Sequence, residues 1–478
     1  MKKLLGFICI CLISITTLAQ PQMTVSTKWL DTTEVNWAAY RYQNILVTLS
    51  PEGFKGRAIS DGKIVWKYNF PSDFGMITAI NQSESTICFS TYYCIDKKTN
   101  HHSSLIMLNM STGNEQKRIV AKDSIFWQGL CLSPSIVYTQ IITPDDWWTM
   151  KELNDDENIE VDESFLAGYD RTTMVRKFLQ ADFDNSPNLL GVFDGKLLAT
   201  IQNKDVENKI AAFDPSNGER LWKATTGRII SGFVEKGNLY VQPAMVDETA
   251  TLAAVQISNG DVLWSNNGKS FLDPNKVRVT GQNMAFTDNY IIDLGEFSHN
   301  TFFSIYNKKD GDKLWKQVLV NGSIRIGNVL GGIAERFGAK IGLQPLSVLV
   351  SGFGTGLQSL SSLQSLLVES NSLYFSVLDG KDAIFSKYEL SAEEKDPSWV
   401  KKIENVGEMF RFIPNTINGY PILIGSKDIG IIAPKDGSYK IYNDLLPYED
   451  QIINIFQDGT QVCLVFQHTL ICADIVTK

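Results

Sequence analysis

The sequence is poor in the residues that build metal and redox centres. It holds four histidines and seven cysteines in 478 residues. His101-His102 is the one close histidine pair. No carboxylate or thiol set stands at ligand spacing around it, so the pair reads as a polar loop between two strands rather than a metal site. No Cys-x-x-Cys-His run occurs, which excludes covalent haem, and an odd, sparse cysteine count makes no disulfide framework. Catalytic signatures are also missing: there is no Gly-x-Ser-x-Gly and no His-Glu-x-x-His. Gly352-Phe353-Gly354-Thr355-Gly356 lacks the Gly-Lys-Ser/Thr that completes a phosphate loop. Positive charge is in deficit, with 44 basic residues against 53 acidic ones and a formal charge of −9. An acidic chain neutralises phosphates poorly, which argues against nucleic acid as a partner. No segment beyond the N-terminus reaches the roughly 18 uninterrupted apolar residues of a membrane span.

The N-terminus has the three-part plan of a secretory signal. Lys2 and Lys3 form a basic start, and an apolar run from Leu4 to Ile15 is broken only by Gly6 and Ser14. Thr17-Leu18-Ala19 puts small residues where a signal peptidase reads. Residues 1–19 are therefore expected to be a signal peptide, with 20–478 as one mature domain. An uncleaved anchor helix is the alternative. A lipoprotein would need cysteine right after the small residue. Cys9 and Cys11 lie inside the apolar run instead, so the expectation is an exported, periplasmic or cell-surface protein without a lipid anchor. Loss of Lys2 and Lys3 takes the mature charge to about −11. An apolar content of 44% and an aromatic content of 11% suit a well-buried globular protein. About 459 residues is more than one ordinary core accommodates, so two domains or a repeat architecture is expected.

A repeat is present. Gly62 to Trp66, Gly218 to Trp222, Gly260 to Trp264 and Gly311 to Trp315 share glycine, three residues, then tryptophan, in a chain with ten tryptophans. Each copy follows an apolar run and a polar turn, and reads as a β-hairpin whose glycine takes the left-handed position. Two further β runs precede each hairpin, as with Leu189 to Phe193 and Lys196 to Ile201 before Trp222. Four short strands per unit, about 42 to 51 residues from one turn glycine to the next, is the blade pattern of a β-propeller. Weaker units fill the gaps: Leu105 to Lys117, Phe165 to Leu179, Ala383 to Val400 with Trp399, and Ile429 to Ile441. Ile452 to Ile475 supplies three strands at the C-terminus. Met23 to Leu30 supplies one at the N-terminus, ending in Trp29. Pairing these two segments would complete the last blade and remove two exposed edges. The fold class is all-β, a propeller of about eight four-stranded blades. Nine candidate units can be counted, and eight follows from discounting the degenerate unit at 165–179.

These residues resemble the repeat of the pyrroloquinoline-quinone-type dehydrogenases and their non-enzymatic relatives, Ala-x-Asp-x-x-Thr-Gly-x-x-x-Trp. Ala212, Asp214, Gly218 and Trp222 match it, with Asn217 for Thr. Ala254, Gly260 and Trp264 match, with Gln256 for Asp. Asn307, Gly311 and Trp315 match, with Ile305 for Ala. The resemblance implies that Trp66, Trp222, Trp264 and Trp315 dock between adjacent blades rather than stack on a ligand. It also implies a choice about catalysis. The dehydrogenases hold their quinone with an adjacent disulfide-linked cysteine pair, usually with calcium, and this chain has no Cys-Cys pair. It looks more like the non-enzymatic relatives, which include a scaffold of outer-membrane barrel assembly and exported binding propellers. It departs from that scaffold in lacking the lipidation cysteine. Two function classes follow: a protein- or glycan-binding scaffold module in the cell envelope, or a quinoprotein-like or other enzyme working at the propeller funnel. No catalytic or cofactor-binding residue is assigned.

Two stretches interrupt the repeat. Residues 144–163 carry nine acidic residues and one basic one, Lys151, between the second and third strands of a unit. They open on Asp145-Asp146-Trp147-Trp148, a candidate contact for a sugar or a partner surface. Asp155, Asp156, Glu157, Glu160, Asp162 and Glu163 are calcium-type ligands without the spacing of an EF-hand loop. A solvated acidic loop is the plain alternative. Residues 321–368 are expected to be a mainly helical or irregular insertion. Ile326, Val329, Leu330, Ile333, Phe337 and Ile341 recur at helical spacing, and Leu357, Leu360, Leu363 and Leu367 begin a second stripe before strands resume near Leu373. The insertion reads as a lid packed on the propeller face, or else as a partner-binding or membrane-interface element.

Gln461 to Phe466 and Thr469 to Ala473 read as a hairpin around Gln467-His468. In that register Cys463 lies opposite Cys472 in a pair without ladder hydrogen bonds, where α-carbons approach to about 4.5 Å. A disulfide and two facing buried thiols both remain open.

Overall fold

The computed structural model describes residues 21–32, 35–71, 74–94, 101–121, 125–144, 161–181, 188–201, 209–225, 228–244, 252–266, 284–297, 300–320, 366–379, 381–390, 396–404, 406, 410–425, 427–446 and 452–477. Among these residues the chain forms nine four-stranded antiparallel sheets. Blades 1 to 8 span residues 38–69, 76–120, 126–181, 188–225, 228–266, 284–320, 366–403 and 411–442. Blade 9 joins Ile452–Asp458, Gln461–Phe466 and Leu470–Thr477 to the N-terminal strand Met23–Asp31. The count is therefore nine, the upper of the two values the repeat allows. The discounted unit at 165–179 is the outer half of blade 3, Val161–Asp170 paired with Arg176–Ala181.

Nine apolar clusters hold the ring, one at each blade interface. Val47, Phe54 and Trp66 of blade 1 meet Ile80, Phe89 and Ile106 of blade 2. The series runs round to Cys463, Val465 and Cys472 of blade 9, which meet Ala39, Leu46 and Ile59 of blade 1. Middle strands are buried on both faces and so read as continuous apolar runs, as in Gln461–Phe466. Outer strands alternate: in Ile64–Asn69, Trp66 is buried between exposed Val65 and Lys67. First strands contact first strands of the next blade, as Phe126–Leu132 does with Met76–Ser83 and with Asn188–Phe193, so they wall the ring axis.

The Gly-to-Trp spacing has a geometric cause. At six of these hairpin turns a glycine N–H closes the turn onto the carbonyl four residues back, as Gly260 does to Gln256 at 2.8 Å. The tryptophan of the preceding blade then lies on that glycine and donates its indole N–H to a turn carbonyl. Trp222 donates to Ile257 at 2.9 Å, Trp66 to Met110 at 2.9 Å, Trp264 to Lys308 at 3.2 Å and Trp399 to Pro434 at 3.2 Å. A side chain at Gly260 would put Cβ 2.6 Å from the Trp222 ring, and its φ is +81°. In blade 3, Phe178 takes the tryptophan's place and covers Gly218. Trp315 packs among Phe303 and Tyr388 at the blade 6–7 interface.

The termini close the ring. Met23–Asp31 pairs antiparallel with Leu470–Thr477, putting Trp29 opposite Cys472. Trp29 docks like the other repeat tryptophans, donating to Ile59 O at 2.7 Å and covering Gly62 of blade 1. Asp31 pairs with Arg57 of blade 1 at 2.7 Å, with both side chains largely buried. Asn36 donates from its backbone and side chain to Gln467 O and Phe466 O.

Gly260→Ala is expected to destabilise by about 2 to 5 kcal/mol, from left-handed strain of ~1–2 and overpacking of ~1–3. Gly195→Ala, whose φ is +71° with nothing within 4 Å, should cost only the strain. Urea unfolding of the two variants checks this, and equal losses would reject the docking explanation. Trp29→Ala should cost about 3 kcal/mol or more, read as a lower unfolding midpoint. A midpoint unmoved by Trp29→Ala and by deletion of residues 20–30 would show that the terminal strand does not close the ring.

Candidate binding face

The two ends of the propeller are built differently. One carries the turns between first and second strands and between third and fourth strands. The former are mostly tight: Asp194-Gly195 and Lys236-Gly237 have positive φ at both positions, as a two-residue hairpin of mirror type requires. Each of the latter begins in several blades with Asp or Asn capping the turn. Asp214 accepts from Ser216 N at 2.8 Å and Ser216 Oγ at 2.6 Å, and these bonds hold its carboxyl below the usual carboxylate range. Asp170 and Asn109 cap the corresponding turns of blades 3 and 2. These turns are short because their sequence closes them locally.

The opposite end collects the connections that local sequence does not close. From second to third strands run 95–100, 145–160, 202–208 and 245–251; from blade to blade run 267–283 and 321–365. All six lie outside the described residues. The candidate contacts Asp145, Asp146, Trp147 and Trp148 therefore fall there, as do Asp155, Asp156, Glu157 and Glu160. The strands that carry them, Ile136–Pro144 and Val161–Asp170, are described and place that connection on blade 3 at this end. Asp162 and Glu163 belong to the second of these strands, so the interruption is 145–160 rather than 144–163.

The second interruption also shortens. Blade 7 begins at Leu366–Glu369, paired with Ser372–Asp379, so strands resume at Leu366 and not near Leu373. Leu366 and Leu367 are buried on opposite blade interfaces. That alternation makes Leu367 a strand residue, not part of a helical stripe. The stripes at Ile326 to Ile341 and Leu357 to Leu363 lie outside the described residues. His101 and His102 open the strand His101–Asn109 instead of forming a loop, because register with Thr86–Cys94 continues to Cys94↔His101.

Below this end the interior is tied by polar pins between neighbouring blades. Thr78 Oγ1 donates to Trp127 O at 2.7 Å, and Asn454 Nδ2 donates to Ala39 O at 3.0 Å. Ser376 Oγ reaches Phe410 O. The described thiols are not poised as nucleophiles: burial raises Cys88 and pushes Cys131 up to about 12. Among the described residues no three His, Cys, Asp or Glu side chains gather as a metal site, and no helix is long and apolar enough to cross a membrane. Sequence reasoning did not single out Phe178 or Arg411. Phe178 had a legible signal, since it follows Met174 at the same spacing as tryptophan follows glycine, and Met174 has φ +58°.

Cys463 and Cys472 are direct cross-strand partners. Phe466 N donates to Thr469 O at 2.7 Å, which sets the register. Their Cα atoms are 4.1 Å apart and their sulfurs are joined, at the blade 9–blade 1 interface that Trp29 also lines. A non-reduced digest of native, oxidised protein should yield the two cysteines as one cross-linked peptide pair. Free alkylatable thiol at both positions would reject the bond.

Residues 171–343 match the family profile described as outer membrane protein assembly factor BamB. No curated protein matches the sequence. Among solved structures, the chain is similar to BamB from Moraxella catarrhalis, with TM-score 0.46 and 12% identity over 94% of this chain and 100% of that one. It is also similar to quinohemoprotein alcohol dehydrogenase from Comamonas testosteroni, with TM-score 0.41 and 10% identity over 95% of this chain and 76% of that one. Over the matched residues 171–343, with their glycine–tryptophan turns, the repeats are similar to those of the pyrroloquinoline-quinone-type propeller family.

Proposed function

We propose that the chain is an exported propeller that binds an envelope protein or glycan through the end carrying the long connections. The observation that carries this reading is the asymmetry of the two ends. A ring needs only short turns to close its blades, and one end has little else. The other end departs from that economy at 145–160, 267–283 and 321–365, each longer than any connection at the first end, and loops held on a rigid scaffold are where recognition concentrates. Asp145, Asp146, Trp147 and Trp148 sit on one of these connections, and paired tryptophans beside carboxylates are suited to a sugar face or a protein hot spot. The family match at 171–343 to an outer membrane assembly factor supports a protein partner. The apolar leader at residues 4–15 supports export, and the lack of cysteine after Ala19 supports a form without a lipid anchor.

Affinity capture from the native envelope tests the reading. The wild-type chain should retain a specific protein or polysaccharide. Trp147→Ala/Trp148→Ala should weaken capture by about tenfold or more, as loss of an aromatic hot spot does, with the melting temperature unchanged. Capture that survives both this change and removal of residues 324–362, but fails after changes on the tight-turn end, would place the binding face on the wrong side of the ring.

A further inference from the structure

Arg411 opens the innermost strand of blade 8, Arg411–Phe412. It follows directly on the connection from blade 7, so it stands where the wall of the central channel meets the long-connection end. Its chain neighbours Phe410 and Phe412 pack into the core shared with blade 7. Ile413 and Ile424, the cross-strand partner of Arg411, belong to the core shared with blade 9. Strand alternation puts Arg411 on that second face, among isoleucines. The residue is 8% exposed.

No carboxylate or other acceptor pairs with this guanidinium among the described residues, and burial alone draws its pKa down to about 10. Asp428, the buried acid of the same blade, accepts from Asp444 N at 2.9 Å instead. The other buried cations described are paired: Arg57 with Asp31, Lys308 with Glu235 and Lys55 with Glu52. An arginine stays charged at any ordinary pH. Burying most of a charged side chain without a counter-ion is unfavourable, and the Arg411 nitrogens are not among the fully buried, unpartnered polar atoms, so they keep some contact with solvent. The exception sits at the channel mouth, where a counter-ion can arrive from outside.

We propose that Arg411 anchors a binding site for a carboxylate-bearing ligand at the mouth of the central channel. A guanidinium presents a planar fork of donors that a carboxylate meets with two parallel hydrogen bonds. One guanidinium balances one negative charge, and no second cation acts on Arg411. A monoanionic carboxylate therefore fits better than a phosphate, whose further charge would be left uncompensated. The site lies on the end assigned above to partner binding, but its test needs no partner, so either reading can fail alone.

The test is thermal unfolding of the full chain in sodium acetate, sodium phosphate and sodium chloride at equal ionic strength and pH 7. Acetate should raise the wild-type melting temperature above its value in chloride by about 2 °C or more as the site fills, saturably, and by more than phosphate does. Arg411→Met should melt in chloride at or above the wild type, because it removes the unpaired charge, and should show no acetate effect. Arg411→Lys keeps the charge without the fork and should retain only a fraction of the acetate shift, which serves if the methionine variant does not fold. Equal melting in all three salts, an acetate shift undiminished in the variants, or a larger response to phosphate would overturn the proposal.

Discussion

The contact on which the ring depends is an indole lying on a glycine. At five blade interfaces the third strand ends in a left-handed glycine turn that exposes a bare backbone patch, and the outer strand of the preceding blade sets a tryptophan on it. The indole N–H then satisfies a turn carbonyl, as Trp222 does with Ile257 O. This joins blades at their outer edge, where the wedge between two sheets is widest and small side chains would leave a gap. The largest side chain meets the smallest residue, so the interface closes without voids. Phe178 over Gly218 shows that a ring lacking the N–H can fill the same space.

Closure uses the same device rather than a new one. Blade 9 has three strands from the C-terminus and borrows its fourth from the N-terminus. The borrowed strand carries the docking tryptophan, Trp29, so the last interface is closed as those after blades 1, 4, 5 and 7 are. Buried polar groups add direction: Asp31 to Arg57, Asn36 to Phe466 O, and Asn454 to Ala39 O. The Cys463–Cys472 link lies beneath the same interface. The two most distant parts of the chain thus stabilise each other, and the ring has no free sheet edge facing its neighbour at the seam.

The repeated turn also divides the molecule's surfaces. Where Asp or Asn caps and glycine closes, the chain returns in a few residues, and at this end only 390–398 and 413–421 are longer. The other end is free of that local code, and the three longest connections, 145–160, 267–283 and 321–365, leave from it. Arg411 stands on the channel wall just beneath this end, a charge without a partner among the described residues, in a ring whose other described buried cations are paired.

Much of the fold was legible in the residues alone, because it rests on local chemistry repeated many times. Gly-x-x-x-Trp marks four of the six docking turns, Asp-Gly marks a hairpin, and an unpaired strand at either end of the chain predicts its own partner. Cys463 and Cys472 could be set opposite each other from a two-residue turn, since register in a tight hairpin is a counting problem. Four things needed the tertiary structure. Phe178 becomes equivalent to tryptophan only when Gly218 is seen beneath it, which makes the unit at 165–179 a blade and the count nine. Leu367 looked helical by spacing because a strand buried on both faces has no alternation to display. His101 and His102 are strand rather than loop because pairing to the preceding strand extends that far. Arg411 is an ordinary arginine in sequence. Its position on the inner strand, its burial and its lack of a partner are properties of the ring, which alone decides which side chains face water, a neighbouring blade or the channel.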